Sequence, residues 1–295
     1  MINRTIVATD LSKSSFAMVG CMSSLKYLGV KEILLLQCLN LQEVASIAIS
    51  YTTSYLEETL ERQKKLLEGE GFLVKTRIST SGAKTEINRI AEEEGFPLVV
   101  VGSRGHSLVG GAFLGGVASQ VILNTKKPVL IIRLKAAPDG KVFVCSPNFQ
   151  SDITGNVLFT TDFSSNAEEA FTFLEGISAS GFGKVTLLHV QDKNRFEPYL
   201  LDHLEEYNET DRQRLQRLKE RLETKGAPEV TTELRYGNPF EEIMKSIKDH
   251  GASLVVMGSQ GRGFVRELFL GSVSHNIARH AETSVLLIPS TNPRE

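Results

Sequence analysis

The chain is poor in cysteine, has no excess of either charge and contains no long hydrophobic run. Its three cysteines, Cys21, Cys38 and Cys145, are odd in number and form no CxxC pair. A disulfide-dense scaffold is therefore excluded, and a reduced, intracellular setting is the expectation. Cys38 lies in an apolar run and reads as a small packed hydrophobe. Lysine and arginine number 33 against 35 aspartate and glutamate, a net charge of −2. No basic surplus exists to neutralise a phosphate backbone, which argues against a nucleic-acid partner. The longest apolar runs, such as 33–36, fall far short of the ~20 residues of a membrane helix. The first seven residues read as the start of a strand rather than a signal peptide. The expectation is a soluble, cytoplasmic protein with no membrane partner. With 295 residues, 41% of them hydrophobic, there is material for about two globular domains.

What is present is present twice. Ile6-Val7-Ala8-Thr9-Asp10-Leu11-Ser12 returns as Leu158-Phe159-Thr160-Thr161-Asp162-Phe163-Ser164, an offset of 162 − 10 = 152. Leu98-Val99-Val100-Val101-Gly102-Ser103-Arg104-Gly105 returns as Leu254-Val255-Val256-Met257-Gly258-Ser259-Gln260-Gly261, an offset of 156. The second copy thus carries four extra residues, placed in the long polar helix region before Gly226. Two long repeats mean two copies of one domain, not a solenoid. The copies are expected at 1–137 and 155–295, with a linker over 138–154 marked by Pro138, Gly140 and Pro147.

Each copy alternates strand and helix. Strands are predicted at 5–8, 33–38, 72–78, 98–101 and 128–133, and again at 157–160, 185–190, 230–235, 254–257 and 285–288. Helices are predicted at about 12–29, 55–68, 86–94 and 115–125, then 167–179, 199–225, 240–249 and 271–280. Wholly apolar strands alternating with helices imply an α/β fold, two copies of an open five-stranded parallel sheet with helices on both faces. A short strand at 142–145 has no evident partner.

Ligands of open parallel sheets bind beyond the carboxyl ends of strands, where the strand order reverses. Asp162, Val190 and Gly258 lie at such ends. Gly258, Gly261 and Gly271 follow the frame G-x2-G-x9-G, and Ser272 comes next. Gly258 and Gly261 would let the backbone turn sharply and approach a ligand closely. Gly271-Ser272-Val273-Ser274 would open the last helix, whose unpaired amides and dipole suit phosphate oxygens, with two hydroxyls as further donors. The first copy repeats the frame at Gly102, Gly105 and Gly115.

On these motifs the chain resembles a tandem universal stress protein, of the branch that binds nucleotides, along nearly its whole length. The resemblance implies a fold like the adenine nucleotide alpha hydrolases, strand order 3-2-1-4-5, with the last strands pairing the two domains as a pseudo-dimer and a homodimer beyond that an option. It implies ATP, ADP or AMP as ligand, with Mg²⁺ accompanying ATP an open option. Asp162, Val190 and the Thr160 backbone would face adenine and ribose. Met257, Gly258 and Gly261 would line the ribose and first phosphates, and Arg262, Gly271, Ser272, Val273 and Ser274 the phosphates. Arg104, His106 and Arg262 have a second reading as solvated loop charges. In the first copy Ala8, Asp10, Cys38, Val101, Gly102, Gly105, Gly115, Gly116 and Val117 hold the matching places. Gly116 stands there for the serine and Ala118 for the second hydroxyl, so a weaker site, a site for fewer phosphates and an empty site all remain open.

Several chemistries lack their motifs. There is no G-x4-G-K-[ST] loop, no G-x-S-x-G elbow and no strand-end carboxylate pair for Mg²⁺. His275 and His280 are five apart and do not share a helix face, which argues against a metal pair. His189 reads as a packed or partly solvated histidine, because Gln37 replaces it in the first copy. The leading expectation is regulatory nucleotide binding in a stress response. The alternatives are a slow ATPase or phosphotransferase, and an interaction module without a ligand.

Overall fold

The computed structural model describes residues 2–39, 49–103, 114–136, 143–145, 153, 155–178, 182–196, 204–227, 229–261 and 270–291. The chain divides into two compact units, Met1–Ser151 and Asp152–Glu295.

In unit 1 the strands are β1 (Arg4–Thr9), β2 (Glu32–Cys38), β3 (Leu73–Ser79), β4 (Val99–Gly102) and β5 (Val129–Ile132). They pair in parallel in the order β3-β2-β1-β4-β5. The helices are α1 (Lys13–Val19), α2 (Ile49–Gly69), α3 (Ala83–Glu93) and α4 (Gly116–Asn124). The helix expected over 12–29 is two pieces. Ser12 caps α1 by accepting from the Ser15 amide, α1 ends at Gly20, and a 3-10 segment runs Met22–Leu28 to a left-handed Gly29. Cys21, between them, is disulfide-bonded. That departs from the expectation of a fully reduced chain; Cys38 is a free thiol. The orphan strand also finds its place, as β6 (Leu134–Ala136) pairs antiparallel with β7 (Phe143–Cys145).

Unit 2 repeats the plan with β8 (Asn156–Thr161), β9 (Lys184–Asp192), β10 (Val230–Gly237), β11 (Leu254–Gly258) and β12 (Ser284–Ile288). Their order is β10-β9-β8-β11-β12, all parallel. Both units therefore have the order 3-2-1-4-5. Its helices are α5 (Ser165–Ser178), the short α6 (Lys193–Phe196), α7 (Leu204–Thr224), α8 (Pro239–Asp249) and α9 (Ser272–His280). α2 ends at Gly69 and α7 at Thr224, an offset of 224 − 69 = 155. Three of the four extra residues of unit 2 therefore enter before the end of this helix. No described helix is long and apolar enough to cross a membrane.

Burial explains the patterns. β11 and β12 are buried at every position, as strands covered on both faces must be. β3, at the sheet edge, has exposed or half-exposed residues throughout. Phe159 of β8 and Phe171 of α5 are fully buried and meet edge to face at 5.3 Å, fixing α5 against the sheet. α5 thereby begins next to the reversal point between β8 and β11.

Candidate functional site

β8 ends in a turn that both units share. In unit 2 the Thr161 hydroxyl accepts from the Phe163 amide at 2.9 Å, and Asp162 Oδ1 accepts from the Ser164 amide at 3.0 Å. These bonds hold Phe163 at φ 58°, in the left-handed region, which a bulky residue adopts only under constraint. In unit 1 Thr9 and Asp10 do the same for Leu11, at φ 57°, through bonds of 3.1 and 3.0 Å. Asp10 is further gripped there by the Ser12 and Ser15 hydroxyls.

Beyond this turn in unit 2 lies a cavity of about 270 Å³. Its walls come from the ends of β8, β9 and β11 and from the N-terminal turns of α8 and α9. Thr160, Asp162, Val190, Met257, Gly258, Gly261, Gly271, Ser272, Val273 and Ser274 all line it. Arg262 lies outside the described residues, as do Arg104, Gly105 and His106. The sheet supplies apolar surface from Leu188, Val190 and Met257, and α8 adds Pro239 and Ile243.

The glycines serve a different purpose from the one their spacing suggests. Neither Gly258 nor Gly261 has a positive φ, so no sharp turn demands them. A Cβ at Gly258 would lie 2.6 Å from Asn166 Oδ1, and one at Gly261 2.7 Å from Asp162 Oδ2. They are glycine because side chains from the β8–α5 connection press against the loop. Asn166, which no motif singles out, is the post of that arrangement. It is buried, accepts from the Gln260 amide at 2.9 Å, and donates to Ile288 O and Glu169.

Gly271 is the N-cap of α9 and offers no side-chain cap. Its amide instead closes the loop by donating to Ser259 O at 2.7 Å. The following amides have no intrahelical partner and open on the cavity. Ser272 is exposed there. Ser274 departs from the expectation of a phosphate donor, because its buried hydroxyl donates to Gly258 O at 2.8 Å. That bond ties α9 to the end of β11.

Unit 1 keeps the loop closure, with the Gly115 amide donating to Ser103 O at 3.0 Å. Ala118 is buried at the place of Ser274 and has no hydroxyl to tie α4 to Gly102. Gly116 and Val117 are exposed at the start of α4, and Ala8, Gly102 and Cys38 are half-buried at strand ends while Val101 is buried. Burial, and then the charge of Glu86, push the Cys38 thiol up to about 12, so it is an inert packing group.

The model of the universal stress protein family matches residues 1–133 and 154–289. The chain belongs to the universal stress protein family. Each unit carries one domain of the family, in tandem. Among curated relatives, the universal stress protein MJ0577 of Methanocaldococcus jannaschii is 28% identical over 155 residues, which is 46% of this chain and 95% of that protein. A universal stress protein structure from Archaeoglobus fulgidus covers 97% of this chain and 98% of its own at TM-score 0.75 and 24% identity, a likeness of fold. A functionally unknown protein of Pseudomonas aeruginosa, PA1789, shares the fold at TM-score 0.62 and 16% identity, over 97% and 92% of the two chains.

Proposed function

We propose that unit 2 of this universal stress protein binds an adenine nucleotide in the cavity at the β8–β11 reversal point and acts as a regulatory binding protein. The observation that carries this reading is one wall made by Asp162 and another by the uncapped start of α9, on the same cavity. Unpaired amides at a helix N-terminus, with the positive end of its dipole, favour phosphate oxygens. The Asp162 carboxylate suits ribose hydroxyls, and the Val190, Met257 and Leu188 surface suits a flat base. About 270 Å³ sits just under the ~300–1,000 Å³ usual for ligand pockets. The nucleoside would fill it, leaving the phosphates along the mouth of α9. The choice of adenine, and of ATP, ADP or AMP, comes from the family resemblance.

Calorimetric titration with ATP, ADP and AMP tests the reading. Ser272→Ala removes an exposed hydroxyl at the mouth and should weaken ATP binding about three- to tenfold while leaving the fold intact. Unchanged ATP affinity in that variant removes the phosphate assignment. Absence of binding to any of the three at millimolar concentration removes the function.

A further inference from the structure

We infer that His189 is the positioning residue of the unit 2 cavity, holding the Asp162 turn in its ligand-ready shape through contacts that unit 1 is built without. The inference rests on the nucleotide reading above, but its structural half stands apart from it.

His189 is buried on β9 and lines the cavity. Its Nδ1 lies 2.7 Å from Thr161 O, and its Nε2 lies 3.5 Å from Asp211 Oδ2 on α7. Both neighbours are acceptors. A neutral imidazole has one N–H and turns a lone pair to whichever oxygen it does not serve. Only the doubly protonated ring donates to both. Burial pushes the Asp211 carboxyl up, but hydrogen bonds from His189 and Gln191 and the Arg214 charge outweigh it and hold it below its usual range. The grip on the turn is two-sided. Thr161 O is one anchor, and the ring of Phe163, whose backbone is held in the left-handed region, packs on the imidazole at 4.5 Å, with the Arg214 guanidinium 5.2 Å from the centroid of that ring. Asp162 stands between these anchors. The charged groups around His189 are thus Asp211 and Arg214 from α7, Asp162 from the turn and Asp192 from the end of β9; α8 presents only Pro239 and Ile243 among the described lining residues.

The duplication supplies the control. Strand register pairs Thr161 with His189 in unit 2 and Thr9 with Gln37 in unit 1. Gln37 donates to Cys38 O at 3.3 Å, and its buried Oε1 has no hydrogen-bond partner among the described residues. With the helix offset of 155, Asp211 corresponds to position 56, which is Leu56. Unit 1 therefore has neither the ring nor the carboxylate at these positions.

Two measurements on the full chain decide the matter. In the unliganded protein, the backbone amides of Phe163 and Ser164 are compared by NMR between the wild type and His189→Gln, which imports the residue of unit 1. Both amides should shift and exchange faster with solvent in the variant, and amides unchanged in position and exchange overturn the positioning role. ATP affinity should fall about tenfold in His189→Gln, the scale of one lost hydrogen bond, and an unchanged affinity overturns the effect on binding. Asp211→Asn, which keeps the shape of the partner, should weaken binding in the same direction and serves where His189→Gln does not fold. A protein that binds no ATP sinks the nucleotide reading, and the amide comparison alone then upholds or overturns the coupling of His189 to the turn.

Discussion

Replacing Gly258 by alanine tests whether Asn166 or backbone torsion dictates the glycine. The added Cβ would sit 2.6 Å from Asn166 Oδ1, 3.0 Å from its Cγ and 3.1 Å from its backbone oxygen. Two responses are available. Asn166 can swing away, leaving the Gln260 amide and Ile288 O without their partner, which costs roughly 1–3 kcal/mol for each buried group. Alternatively the loop can shift as a body, at the roughly 1–3 kcal/mol typical of an overpacked site. The cheaper route wins, so Gly258→Ala should destabilise unit 2 by about 1–3 kcal/mol. That corresponds to a melting transition lower by roughly 2–12 °C for a unit of this size. Gly116→Ala is the contrast. Its Cβ would meet nothing within 4 Å, and in a helix alanine is favoured by roughly 0.5–1 kcal/mol. Urea unfolding of both variants, and of Gly258→Ala in an Asn166→Ala background, completes the cycle. The reasoning fails if Gly258→Ala loses less than about 0.5 kcal/mol, or if its loss is the same with Asn166 already removed.

Three further outcomes follow from the same structure. Alkylation of native Cys38 at pH 8 should run at least about tenfold slower than for an ordinary thiol, since burial makes its thiolate scarce and the greater nucleophilicity of that thiolate offsets only part of the loss; labelling at the free-cysteine rate, read by peptide mapping, would contradict its burial. Burial raises the Glu233 pKa, but hydrogen bonds from Ser246, Arg235 and His250 outweigh it and leave it depressed, so its contribution to stability is present above the unfolded value of about 4.3 and is lost as pH falls through the lower folded value. Glu233→Gln should therefore flatten the acid limb of the stability profile of unit 2, and parallel limbs for variant and wild type would refute this. Native mass spectrometry at limiting ATP should find one adenine nucleotide per chain; equal filling of two sites would show that Gly116 and Ala118 are tolerated.

The strand order and the crevice were legible because they rest on strong, local signals. The run Val185 to Val190 is apolar at four of its six positions, and the T-D-x-S and glycine frames recur at fixed offsets. The causes behind the frames were not legible. Nothing about Asn166 in S-S-N-A distinguishes it from any polar residue near a helix start, because its partners, Gln260 and Ile288, lie 94 and 122 residues away. Ser274 looked like a second phosphate donor because the sequence shows a hydroxyl but not the carbonyl of Gly258 beside it. His189 was read as packing because Gln37 replaces it, and packed it is. The replacement is informative for a different reason, as Asp211 disappears with it. The strand at 142–145 is legible but its partner β6 is not, because a three-residue strand carries almost no periodic signal.

Duplicated domains usually invite the assumption of duplicated function, and here four differences fall where they would matter. Several scaffold features are preserved in both units: the left-handed residue after the aspartate, the loop-closing amide of Gly115 or Gly271, and the order 3-2-1-4-5. Among the positions that change are Ser272 to Gly116, Ser274 to Ala118, His189 to Gln37 and Asp211 to Leu56. Three of these remove a hydroxyl or a carboxylate from unit 1, and the fourth exchanges an imidazole for an amide. The core changes too, as Phe159 and Phe171 stand where unit 1 has Val7 and Val19, yet all four are buried. On the proposed reading, unit 2 holds the charged ligand and unit 1 keeps the fold with fewer groups to hold one. Restoring Gly116→Ser and Ala118→Ser together should then raise the affinity of unit 1 for ATP more than either change alone, since one adds a donor at the mouth and the other ties the helix that presents it. Strictly additive gains would argue that the two positions act independently and that the helix tie contributes nothing to binding.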